Sequence, residues 1–146
     1  MSDQVSPEIT RNLKVLIYSD DRAVRSDVML ALGKRPAPDL AELDYVECAT
    51  GPALIGLADK GRFDLLILDG EATPVGGLGV ARQLKDEIFN CPPILVLIAR
   101  PQDAWLATWS RAEAVASHPI NAVLLADAVT GLLRPKMAKL SAIATA

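Results

Sequence analysis

Three features of this sequence predict an α/β fold of five βα units, with a parallel sheet of five strands sandwiched between two helical layers. Five short apolar runs alternate with longer stretches whose apolar positions recur at helical spacing. The runs are apolar on both faces, as strands of a parallel sheet covered on both sides must be. The boundaries carry acids, glycines and prolines where helices start and stop. With 146 residues, 51% of them hydrophobic and 23% charged, the chain has material for one packed domain with tails.

The first run, residues 14–19 (KVLIYS), is β-branched and aromatic at its centre and ends on Asp20 and Asp21. From 21 to 32 the apolar Val24, Val28, Ala31 and Leu32 lie on one helical face. Asp20 or Asp21 is placed to cap its start and Gly33 to close it. Residues 34–44, with Pro36 and Pro38, form a connection. Residues 45–49 read as the second strand and 52–60 as a helix with Pro52 in its first turn and Gly61 beyond its end. The third strand, 64–68 (DLLIL), leads into Asp69. A Gly-rich turn over 70–77 enters a helix through Val80, Leu84 and Ile88. Pro92 and Pro93 precede the fourth strand, 94–99. A short helix over 102–110, a weak strand at 114–117 and a closing helix over 121–133 complete the pattern. Pro135 stops or kinks that helix and leaves 136–146 as a frayed extension. Right-handed crossovers then give a flavodoxin-like three-layer sandwich of order 2-1-3-4-5. Its site lies at the carboxyl ends of the strands, which draws attention to Asp20, Asp21, Asp69, Ala99 and His118.

Composition removes several classes of function. Fifteen Lys and Arg against eighteen Asp and Glu give a net charge of −3 with no basic block, so nucleic acid is not expected as a partner. Cys48 and Cys91 with the single His118 make no disulfide framework and no structural zinc site. The opening MSDQVSPEIT is acidic and polar, unlike a secretory signal, and the longest apolar run is far short of the roughly 20 residues of a membrane span. The expected location is the cytoplasm, with no membrane contact.

Asp69 at the end of the third strand, and Asp20 and Asp21 at the end of the first, would put three carboxylates within a few ångströms. Their repulsion calls for a cation, and a small hard ion such as Mg²⁺ binds carboxylate and phosphoryl oxygens alike. A carboxylate in that setting can act as a nucleophile and become an acyl phosphate. The pattern suggests an Asp phosphorylation site.

From about 13 to 134 the chain resembles the receiver domain of two-component response regulators. The blocks KVLIYSDDRAVR, the Gly51 and Pro52 helix start, FDLLILDGEATPVGGLGVARQL, PPILVLIA and SHPINAVLLADAVTGLLR match in order and spacing. The resemblance implies that Asp69 accepts phosphate from a histidine kinase or phosphotransfer protein. It also implies that Mg²⁺ is held by an acidic pair after the first strand, by the acceptor, and by the backbone carbonyl at Glu71. Alignment on Val24 and Arg25 places Ser19 at the first acidic position and Asp20 at the second. One metal-side carboxylate is thus missing unless Asp21 takes its place. Other departures concern the switch: Ala99 follows Ile98 where the family has Ser or Thr, His118 stands for the Lys before Pro119, and Val115 replaces the aromatic. Pro74 is displaced by one, while Gly77 is in place. His118 can still donate to a phosphoryl oxygen.

Each residue also has a plainer reading. Asp69 could be a turn aspartate, Asp20 and Asp21 helix caps, and His118 a turn residue before Pro119. Trp105 and Trp109 could be core packing one turn apart; on this short helix, aromatics are instead assigned to a partner or self-association face. The expectation is a receiver at 13–134 between tails at 1–12 and 135–146. It stands alone, is not an enzyme beyond self-phosphorylation and dephosphorylation at Asp69, and signals through protein contacts. The rival is a phosphorylation-independent scaffold on the same fold. A remote alternative, an aspartyl-phosphate phosphohydrolase suggested by DGEAT, lacks the second Asp where Glu71 stands.

Overall fold

The computed structural model describes residues 11–145. Five strands, β1 (Leu13–Tyr18), β2 (Leu43–Cys48), β3 (Leu65–Asp69), β4 (Ile94–Ile98) and β5 (Ala114–Ser117), alternate with five α-helices. These are α1 (Arg22–Leu32), α2 (Gly51–Lys60), α3 (Gly77–Glu87), α4 (Trp105–Ser110) and α5 (Ala122–Thr145). The strands form one sheet in the order β2-β1-β3-β4-β5, and every pairing is parallel. The predicted order is the observed one.

Side chains alternate across the sheet, so each strand feeds two cores. Leu16 and Tyr18 of β1 pack with Leu54 and Ala58 of α2, Val80 and Leu84 of α3, and Ala107 of α4. Leu13, Val15 and Ile17 face the opposite way, against Val28 and Leu32 of α1 and Leu125, Val129 and Leu133 of α5. The central strands β3 and β4 are buried along their whole length, which is why their sequences are apolar at every position.

The helix punctuation follows the chemistry of the ends. Asp21 caps α1 by accepting the Ala23 N–H, and Gly33 closes it with a φ of 61°. Thr50 caps α2 through the Ala53 N–H, with Pro52 in the first turn.

Three boundaries differ from expectation. β2 begins at Leu43, because Leu43 is buried in the α1/α5 core and its N–H bonds the Lys34 carbonyl. The helix expected over 102–110 divides into a 3₁₀ turn, Pro101–Asp103, and the short α4, closed by Arg111 in the left-handed region. The closing helix neither stops at Pro135 nor frays beyond it. Proline removes one helical hydrogen bond, yet α5 runs on to Thr145. Tertiary contacts on both sides of Pro135 outweigh that loss. Arg134 pairs with Asp39, Lys136 with Asp64, and Met137 and Leu140 pack against the α1/α5 core.

The expected N-terminal tail lies outside the described residues except for Arg11 and Asn12. These two are tied down: Arg11 donates two bonds to Asp64 at 3.0 Å each, and Asn12 donates to Asp44 at 3.0 Å. No helix among the described residues is long and apolar enough to cross a membrane.

Candidate functional site

Parallel register brings the ends of β1 and β3 level. Tyr18 pairs with Leu68, so the next residues, Ser19 and Asp69, sit side by side at the carboxyl edge of the sheet. Two glycines permit the tight backbone there. A Cβ on Gly70 would come within 2.6 Å of the Leu97 carbonyl oxygen, and one on Gly77 within 2.7 Å of the Asp69 carbonyl oxygen. Gly77 therefore lets the start of α3 close directly onto the strand end that carries Asp69.

Asp69 is 3% exposed and each carboxylate oxygen is engaged. Oδ2 accepts the Ser19 hydroxyl at 2.7 Å, and Oδ1 accepts the Glu71 N–H at 2.9 Å. Nε2 of His118 lies 3.0 Å from Oδ1. A carboxylate only accepts, so the imidazole presents Nε2–H to it. Of these partners Ser19 is fully buried, whereas the His118 side chain is 23% exposed.

The remaining acids line the same open cleft of about 330 Å³, with Asp20, Asp21, Asp69, Glu71, Ala99 and His118 in its wall. The residues expected to meet at the strand ends do line one cleft, but their carboxylates turn to different partners. Asp20 reaches across to the β3–α3 loop, accepting the Thr73 N–H and hydroxyl at 3.0 Å each. Those bonds, the backbone one first, hold its carboxyl below the usual carboxylate range. Asp21 spends an oxygen on the α1 cap. Arg25 closes the edge beside them, donating to the Ser19 carbonyl at 2.6 Å and to Glu47 at 3.0 Å.

The expected Mg²⁺ set of Asp20, Asp21, Asp69 and Glu71 therefore does not fit the ion. Among the described residues no group of three or more His, Cys, Asp or Glu side chains is arranged to hold a metal. Mg²⁺ requires near-octahedral oxygen ligands, whereas both oxygens of Asp20 and of Asp69 and one of Asp21 already accept hydrogen bonds.

Two residues besides the expected acids matter here. Ser19 stands at the place of the missing acid, and its position level with Asp69 makes it a direct partner. Thr73, in the DGEAT stretch, is what draws Asp20 aside. The departures at Ala99 and Val115 are as expected: Ala99 brings no hydroxyl to the cleft, and Val115 lines a second cavity of about 460 Å³, where it brings no ring. His118 is the residue common to the walls of both cavities.

Away from the cleft, Trp105 and Trp109 on α4 are 66% and 46% exposed. The Arg82 guanidinium lies 5.1 Å from the Trp109 ring and donates to the Trp109 carbonyl at 2.8 Å. Val123 and Leu124, at the start of α5, are exposed as well, and Leu124 lines the larger cavity together with Ala104 beside α4. Packing in the core does not account for these four side chains.

No family model matches the chain. An uncharacterized response regulatory protein of Mycobacterium tuberculosis, present in two strains, is 57% identical over 128 residues, spanning 88% of this chain and 96% of the relative. Among solved structures, the receiver domain of the Francisella response regulator 1452 superposes with a TM-score of 0.72 at 17% identity, covering 86% of this chain and 99% of that one. The chemotaxis response regulator CheY4 of Vibrio cholerae gives 0.68 at 22% identity, covering 84% and 100%. A two-component response regulator from Clostridium difficile gives 0.70 at 19% identity, covering 86% and 98%.

Proposed function

The chain belongs to the response regulator receiver family, and from that premise we propose that it receives a phosphoryl group on Asp69 and passes the signal on through protein contacts at the α4 face. The observation that carries this reading is the position of Asp69. Its carboxylate ends a buried central strand and lines an open cleft with an imidazole at 3.0 Å. In the transfer, a carboxylate oxygen forms a bond to phosphorus as the donor's N–P or O–P bond breaks, and the leaving group takes up a proton. A donor reaches the acid when His118, the partly exposed partner, gives way. The displaced imidazole can then donate to a phosphoryl oxygen.

His118 also supplies a route outward. It borders the larger cavity, whose wall includes Ala104 and Leu124, next to exposed Trp105. A shift of the ring would be felt there without the hydroxyl and aromatic that other receivers use. The donor is a histidine kinase or phosphotransfer protein; the receiving surface of the target, or of a second copy, meets Trp105 and Trp109.

A second reading, a receiver fold that signals without phosphate, is favoured by the saturation of both Asp69 oxygens. Incubation with a small acyl phosphate or phosphoramidate separates the two. The proposal expects an acid-stable, base-labile label that is lost in Asp69→Asn. A wild-type chain that takes no label, with partner binding intact in Asp69→Asn, would establish the scaffold instead. Sedimentation or pull-down with Trp105→Ala and Trp109→Ala tests the face, where unchanged assembly removes it.

A further inference from the structure

We propose that this chain holds the Asp69 carboxylate without a divalent cation, with Ser19 as the positioning residue and His118 as the counter-group. The hydroxyl of Ser19 has a defined direction. Its oxygen accepts the Asp21 N–H at 3.0 Å, so its own proton is left for Asp69 Oδ2 at 2.7 Å. With the Glu71 N–H and His118 Nε2 on Oδ1, three donors stabilise one carboxylate, which is the work a metal would otherwise do. The neighbouring acids are committed elsewhere: both oxygens of Asp20 hold Thr73, and Asp21 caps α1. For Asp20 to turn to Mg²⁺ beside Asp69, its two bonds to Thr73 would have to be weakened or given up for an ion that dehydrates reluctantly.

Ser19 is decisive because it is fully buried against the acceptor. An acid in its place would set two like charges in contact and create the demand for a cation that the serine removes. This concerns the resting state of Asp69 and stands whether or not a phosphoryl group is accepted there.

Titration of the full chain with Mg²⁺, followed through the backbone amide signals of Asp20, Asp21, Gly70 and Glu71, tests it. Wild type and Ser19→Ala are expected to show no saturable shift up to about 10 mM, whereas Ser19→Asp gains one, with an apparent affinity at least about tenfold tighter. A saturable response in wild type at these amides would overturn the proposal. A folded Ser19→Asp that remains silent would overturn the assignment to Ser19. Should Ser19→Asp not fold, the wild-type titration alone decides. Phosphate labelling is read separately, so its failure leaves this result untouched.

Discussion

Strand β3 is bracketed by two buried aspartates that are held in opposite ways. Asp64, just ahead of its first residue, is 2% exposed and faces two cations, Arg11 through two bonds at 3.0 Å and Lys136 at 3.4 Å, together with the backbone N–H of Lys14 at 2.9 Å. Asp69, its last residue, is 3% exposed and meets a hydroxyl, an amide and an imidazole. Burial alone would raise the Asp64 carboxyl, but Arg11, the Lys14 N–H and Lys136 together hold it below its ordinary value. A carboxylate saturated by full charges is a fastener between the N-terminal segment, β3 and α5. One held by a hydroxyl, an amide N–H and an imidazole beside a cleft keeps its charge available to a newcomer. Burial therefore does not distinguish the two acids of this strand; the partners of each do.

The largest test of that contrast is stability. Asp64→Asn should cost about 3 kcal/mol in urea unfolding near neutral pH, since it discards charge-assisted bonds to two cations. The penalty should also fade in acid. A depressed folded pKa stabilises above the unfolded value of about 3.9 and ceases to as pH falls through the folded value, so the gap between wild type and Asp64→Asn should narrow steadily as pH falls below about 3.9. A gap that stays undiminished there would mean that the Asp64 charge is not what holds this end together. Gly77→Ala comes next, at about 2 kcal/mol, because its methyl meets the Asp69 carbonyl and forces α3 off the strand end. Asp69→Asn should change stability by less than about 1 kcal/mol, as its partners, a hydroxyl, an amide N–H and a partly exposed imidazole, can rearrange. A larger loss than for Asp64→Asn would reverse the comparison. Lys136→Ala, which removes the longer and partly exposed contact, should cost about 0.5 kcal/mol.

The sheet and its order were legible because they depend on features that sequence carries locally: uninterrupted apolar runs, Asp21 and Pro52 at helix starts, Gly33 and Gly61 at helix ends. The convergence of Asp20, Asp21, Asp69, Glu71 and His118 on one cleft was legible for the same reason, since strand ends fix where their neighbours lie. What these groups do to one another was not. The Asp20 bonds to Thr73 span 53 residues and depend on how the β3–α3 loop folds back, which no spacing encodes. The cluster of Asp64, Arg11 and Lys136 joins three distant segments, so the acid read simply as the start of a strand and the cations as tail residues. Pro135 misled because its local preference is real; contacts made by Arg134, Lys136, Met137 and Leu140 override it.

Both tryptophans of the chain sit on α4. Indole emission from this protein is consequently an optical readout of a single six-residue helix. Whatever reaches that helix, from a docking protein or from a rearrangement relayed by the sheet edge, can be timed by stopped-flow spectroscopy on the unlabelled molecule.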